Sequence, residues 1–131
     1  MNNEFHKTKH LDLGYGTVLQ IPLDWDVVLL DEIAKRGSGH TPNAKIPEFY
    51  NGGIKWISLS DSKKFDNRYI SDTNKKISQK GINNSSAVEY SSGVVVLSRD
   101  AGIGKSAITT TEMAVSQHFM VWKCSQELDN H

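Results

Sequence analysis

A single cysteine, Cys124, excludes an internal disulfide and fits a reducing cytoplasm. With no partner pattern nearby, it reads as a small near-core residue. Long hydrophobic runs are missing too. The longest, Val94-Val95-Val96-Leu97 among them, are of strand length, so no membrane span is expected. The opening Met1-Asn2-Asn3-Glu4-Phe5-His6-Lys7 lacks the apolar stretch of a signal peptide. Net charge is also absent, with 15 Lys/Arg against 15 Asp/Glu. At first this argues against a nucleic-acid binder.

The charge is nonetheless unevenly spread. Residues 1–32 hold two Lys against six acids, a balance of −4. Residues 33–80 hold ten Lys/Arg against four acids, +6, and residues 81–131 hold three against five, −2. A basic block between acidic ends suits a phosphate-facing surface, although a plainly solvated polar surface gives the same count. The 131 residues, 37% apolar and 23% charged, suit one soluble globular domain with a single core.

Along the chain, residues 1–20 read as an extended, loosely packed lead-in around Gly14-Tyr15-Gly16. Residues 21–131 read as the domain proper. Its core is expected to begin at Pro22, Trp25, Val27, Val28, Leu29 and Leu30, with Trp25 burying its ring. Asp31 and Glu32 allow one helical turn before Gly37 and Gly39 stop it, and residues 38–47 then form a loop. Ile54-Lys55-Trp56-Ile57-Ser58-Leu59 is a half-buried strand, with Ile54, Trp56 and Ser58 on one face and Lys55, Ile57 and Leu59 on the other. Ser60-Asp61-Ser62 turns or starts a short helix, and residues 63–76 form a polar excursion. Residues 77–87 suit a short helix. The β-branched Gly93-Val94-Val95-Val96-Leu97-Ser98 is the clearest buried strand, and residues 105–111 and 114–123 give two more. The result is an α+β class: one mixed, largely antiparallel β domain with short helices.

Catalytic patterns are not found. His6, His10, His40, His118 and His131 show no metal-ligand spacing with one another or with Cys124, so no metal or cofactor is expected. No Ser/His/acid order comes with a nucleophile elbow, and no Asn-Pro-Pro-Phe/Tyr methyltransferase motif occurs. The chain reads as a non-enzyme.

The order of short motifs is more specific than any one of them. Ile21-Pro22-Leu23-Asp24-Trp25 is followed by Arg36-Gly37-Ser38-Gly39-His40-Thr41-Pro42 and Tyr50-Asn51-Gly52-Gly53-Ile54-Lys55-Trp56-Ile57. Then come Ser85-Ser86-Ala87, Gly93-Val94-Val95-Val96-Leu97-Ser98-Arg99, Ile103-Gly104-Lys105 and Ala114-Val115-Ser116-Gln117-His118-Phe119. Over residues 21–122 this series resembles a target recognition domain of the DNA specificity subunit of type I restriction–modification systems. The resemblance implies sequence-specific binding of double-stranded DNA without catalysis, and the same α+β fold. It also implies a full subunit in which two such domains are joined by long helices. Those helices dock on modification subunits carrying S-adenosylmethionine, and a restriction subunit completes the complex. This chain stops at His131, before any long helix. An excised domain, a truncated product and a half-subunit pairing with a second copy all remain open, and the missing helices put docking in doubt.

Gly102-Ile103-Gly104-Lys105-Ser106 invites a nucleotide-binding reading. A P-loop needs a small residue where Arg99 stands, and a helix where Ser106 to Thr111 is strand-like. The family's Ser-Arg-x-x-x-Ile-Gly strand–turn–strand element fits residues 98–105 better. At residues 37–42 the family carries a Gly-Gly/Ser-Thr-Pro signature, so His40 replaces a small residue there. Arg36, Ser38, His40 and Thr41 are the candidate base readers, on a backbone loosened by glycine; an ordinary surface loop is the bland alternative. Lys45, Lys63, Lys64, Arg68, Lys75, Lys76, Lys80 and Arg99 are the candidate phosphate contacts, or solvated surface cations. Tyr50, Trp56 and Tyr69 lie in the basic block and suit base stacking, but Trp56 is better placed in the core. A second reading, which the zero net charge favours, is a protein-binding remnant that no longer reads DNA.

Overall fold

The computed structural model describes residues 7–100 and 102–131. The expectations placed on residues 1–6, the absent leader stretch and His6 among them, fall outside it. Two strands, β1 (Thr8–Asp12) and β2 (Val18–Pro22), pair antiparallel as a two-stranded sheet of their own. The connecting loop turns through Gly14, Tyr15 and Gly16, all at positive φ (80°, 53° and 77°). This conformation is easy for glycine and uncommon for tyrosine. Of the segment expected to be loose, residues 8–20 thus lie in a paired hairpin, and the boundary between residues 20 and 21 runs through β2.

Residues 23–29 then form neither helix nor sheet. Here the expected core does not form: Trp25 is 60% exposed and Leu29 69%, and Val27, Val28 and Leu30 are also exposed. Four consecutive apolar residues in extended chain alternate sides, so no single face can bury them all. The helical turn α1 (Leu30–Ile33) follows, with Glu32 accepting from Leu29 N at 3.1 Å.

The chain next enters β3 (Ala34–Ser38), a strand where Arg36, Gly37 and Ser38 were expected to leave a helix for a loop. β3 pairs antiparallel with β11 (Phe119–Cys124), Arg36 opposite Trp122 and Ser38 opposite Met120. A 3₁₀ turn at Pro47–Phe49 leads into β4 (Tyr50–Ile57), and a longer 3₁₀ segment, Leu59–Asp66, leaves it. β5 (Tyr69–Ile70), β6 (Lys75–Ile77), α2 (Gln79–Asn83) and β7 (Glu89–Tyr90) follow. Then come β8 (Val95–Ser98), β9 (Ser106–Thr109) and β10 (Met113–Val115), which precedes β11. The strand expected over residues 114–123 is therefore two, parted at Ser116-Gln117-His118.

Two sheets are built from these strands, in the orders β6-β4-β10-β7 and β3-β11-β8-β9-β5. Pairing is largely antiparallel; β10 with β4 and β5 with β9 are the parallel pairs. The α+β class read from sequence is the class observed. One apolar cluster joins Ile57, Met113 and Val115 of the first sheet to Val96, Ala107, Phe119 and Val121 of the second. Phe65 of the 3₁₀ segment stacks on Phe119 with ring centroids 5.2 Å apart. A second cluster holds Ile54, Trp56, Ile77, Ala87 and Ala114. Trp56 is in the core as expected and Ile54 shares its face, but Ile57 on the opposite face is buried as well, and the strand ends there, leaving Leu59 exposed in the 3₁₀ segment. At the end of β4, the buried Asp61 accepts from Ser58 N (3.0 Å) and Asn74 N (2.8 Å) and pairs with Lys64 (3.2 Å).

Candidate nucleic-acid interface

Two turns and one strand exit converge on one face. After β3, the chain at His40 is held from both sides: His40 N donates to Val115 O at 3.1 Å, and its carbonyl accepts from Trp56 Nε1 at 3.2 Å. The glycines beside it serve close approach rather than freedom. A Cβ on residue 39 would stand 1.8 Å from Val115 O, and one on residue 37 would stand 2.4 Å from the Tyr90 hydroxyl. Neither has a positive φ. This corrects the expectation of a glycine-loosened backbone: the segment is pinned, and the His40 side chain projects from it exposed.

From this anchored segment runs a chain of side-chain hydrogen bonds. Thr41 Oγ1 donates to Gln117 Oε1. The Gln117 amide nitrogen lies 3.4 Å from His118 Nε2, and His118 Nδ1 meets Asp100 Oδ2 at 2.7 Å. Arg99 completes it, donating to Gln117 O at 2.8 Å and to Asp100 Oδ1 at 3.3 Å. The His118 hydrogen bond, helped by Arg99, holds the Asp100 carboxyl below the usual carboxylate range. Gln117 is exposed, and a primary amide offers one donor and one acceptor edge that matches adenine in the major groove.

The candidate base readers are thus divided. Thr41 joins this chain and His40 adjoins it, whereas Arg36 lies along β3, 3.6 Å from Asp31, in a groove with Lys35, Tyr90 and Lys123. Ser38 is exposed at the strand end, its carbonyl accepting from the Tyr90 hydroxyl at 2.5 Å. Burial raises the Tyr90 pKa above its ordinary value.

Among the candidate phosphate contacts, Arg99 lies in the hydrogen-bonded chain, and Lys75 lines a cleft beside it. Lys76 is exposed on β6 opposite Lys55, and Lys80 is exposed on α2. Lys45 sits exposed in the turn after Pro42, and Lys63 on the 3₁₀ segment. Arg68 borders a groove with Asn67 and His131. Lys64 is engaged within the protein, by Asp61 and by Asp72 O at 3.0 Å. A backbone hydrogen bond at Thr73, with Lys55, Lys64 and Lys76 nearby, lowers the Asp72 pKa.

Gln117, His118 and Asp100 were not among the sequence-derived candidates. For Gln117 and His118 a signal was present: Ser116-Gln117-His118 is a polar triplet interrupting an apolar run. Residues 102–105, which invited a nucleotide reading, form the turn between β8 and β9, with Gly102 and Gly104 at positive φ and Lys105 bound to Asp66 at 2.5 Å. Among the described residues, no helix is long and apolar enough to cross a membrane.

Comparison with known proteins agrees with this architecture. A specificity subunit of the type I restriction enzyme MjaIX from Methanocaldococcus jannaschii is 32% identical over 111 residues, covering 85% of this chain and 24% of that protein. The HsdS subunit from Thermoanaerobacter tengcongensis superposes with a TM-score of 0.64 at 16% identity, over 84% of this chain and 26% of that one. A chain from a structure of complex assembly and conformational transition in the type I R-M system gives 0.63, again at 16% identity and over 84% and 26%. The chain spans about a quarter of the length of these relatives. The family model described as type I restriction modification DNA specificity domain matches residues 22–131. This chain belongs to that family.

Proposed function

We propose that this chain reads one half of a split duplex-DNA target, with residues 21–131 as the reading domain and residues 1–20 leading into it. The observation that carries the reading is the pinned, exposed chain Thr41–Gln117–His118–Asp100–Arg99, in a member of a DNA specificity family. Directional amide, imidazole and hydroxyl groups held in place are what base-edge readout requires. His40, Thr41, Ser38 and Arg36 supply base contacts in this reading. Lys75, Lys76 and Arg99, with Lys45, Lys63, Arg68 and Lys80 around them, hold phosphates.

The chain carries no reaction of its own in this account. Methylation and cleavage fall to modification and restriction subunits with which it assembles, alone or paired with a second copy. The exposed Trp25 and Leu29 offer apolar surface of the kind protein partners cover. Selection from a pool of randomised duplexes tests the reading. Enrichment of one short motif is the expected result, and recovery of a pool without sequence bias would overturn it.

A further inference from the structure

Beside the hydrogen-bonded chain lies a cleft of about 180 Å³ lined by Thr41, Ser58, Ser60, Lys75, Ser116 and His118, with Trp56 and Leu59 as its apolar wall. Its residues come from four separate places: the segment after β3, the exit of β4, strand β6, and the turn between β10 and β11. We propose that this cleft takes a single phosphate of the DNA backbone, independently of base identity. The proposal rests on the DNA-reading function above and adds to it a specific phosphate seat.

One donor at the cleft is unanswered. Ser116 is 1% exposed, and its hydroxyl has no hydrogen-bond partner among the described residues. A buried hydroxyl in that state costs about 1–3 kcal/mol relative to a satisfied one. Its backbone is fixed, because Ser116 N donates to Ile57 O at 2.8 Å. Among the described residues, no carboxylate lines the cleft. The nearby Asp61 turns its oxygens to Ser58 N, Asn74 N and Lys64. Asp100 lies behind the imidazole, engaged by His118 and Arg99. The lining keeps as donors the Lys75 ammonium, the Ser116 hydroxyl and one hydroxyl of the Ser58–Ser60 pair, which share a hydrogen bond at 2.8 Å, while Thr41 Oγ1 donates to Gln117 and His118 Nδ1 to Asp100. A phosphodiester is a monoanion that only accepts, so it answers these free donors, the stranded Ser116 included. A base edge would bring donors of its own and leave part of the lining unmatched.

Ser116→Ala and Lys75→Ala in the intact chain test this, read by titration of duplexes of several sequences. Ser116→Ala is expected to keep or raise the melting temperature, because it deletes an unpaired buried group. It should weaken every duplex by the same factor, about fivefold for one lost hydrogen bond. Lys75→Ala should weaken all duplexes alike and reduce the salt slope by about one. Inorganic phosphate, against chloride at matched ionic strength, should shift the amide NMR signals of Ser116 and His118. If wild type and both variants bind DNA equally, the seat is wrong while DNA reading stands. If phosphate shifts these signals but no duplex binds, the cleft is an anion site from another source, and both the DNA reading and this proposal fall. Affinity loss confined to particular sequences would make the cleft a base reader and overturn the proposal.

Discussion

His118 and Asp100 meet at 2.7 Å between Nδ1 and Oδ2, joining the β10–β11 turn to the residues that leave β8. An ionised carboxylate only accepts, so Nδ1 carries the proton and Nε2 is turned toward Gln117. The pair therefore fixes which nitrogen the exposed face presents.

The pH dependence follows from the direction of the Asp100 shift. Its carboxyl titrates lower in the folded protein than in the unfolded chain, first because of the His118 hydrogen bond. The stabilisation is thus fully present above the ordinary carboxylate value, about pH 4, and is lost as pH falls through the depressed folded value. Thermal melts of wild type and Asp100→Asn should differ at neutral pH and converge on acidification. A difference constant down to about pH 2.5 would contradict the assignment.

Gly39 and Gly53 should respond oppositely to alanine. At residue 39 a Cβ would overlap the Val115 carbonyl, whereas at residue 53 it would meet nothing within 4 Å. Gly39→Ala is expected to cost about 1–3 kcal/mol or more. Gly53→Ala should be neutral or stabilising by up to about 1 kcal/mol. Urea unfolding of both variants checks this; equal midpoints would mean residue 39 is not packed as described.

Much of this architecture was legible in the sequence. The β-branched run ending at Ser98, the shared face of Ile54 and Trp56 in β4 and the short helix near Lys80 are local patterns, read from neighbours only. The turn after Arg99 was equally plain, since Gly102 and Gly104 mark positive φ. What escaped depends on contacts distant in sequence. Gly37 and Gly39 look like loop glycines until Tyr90 and Val115 are placed against them. Trp25 has the composition of a core residue, but no strand carries it to either sheet. The division at Ser116 follows from the parallel pairing of β10 with β4, which joins Val115 to Ile57. Gln117 escaped because its partner, Thr41, is 76 residues away.

Asp61 should be the most sensitive acid in the fold. It is fully buried and satisfies two backbone donors and Lys64. Asp61→Ala strands those donors, at about 1–3 kcal/mol for each unsatisfied group. A loss on the order of 3 kcal/mol in chemical denaturation is expected. A loss below about 0.5 kcal/mol, typical of an indifferent surface site, would contradict it.

The two kinds of DNA contact should separate by mutation. Arg36→Ala or His40→Ala should relax the target at particular positions, at about 1–3 kcal/mol of discrimination for a lost base contact. Lys75→Ala combined with Lys76→Ala should weaken all sequences together. Binding measured on a panel of single-base variants distinguishes them, and the reverse pattern would exchange the two assignments.

The central claim, that this chain binds duplex DNA and reads it, is tested most directly by a fluorescence-anisotropy titration of a selected duplex and a scrambled one across salt. With roughly five phosphate contacts, affinity should fall about a hundredfold or more between 50 and 200 mM salt. The selected duplex should bind more tightly than the scrambled one throughout. No association with either duplex at low salt and high protein concentration, or identical affinity for both, would contradict the account.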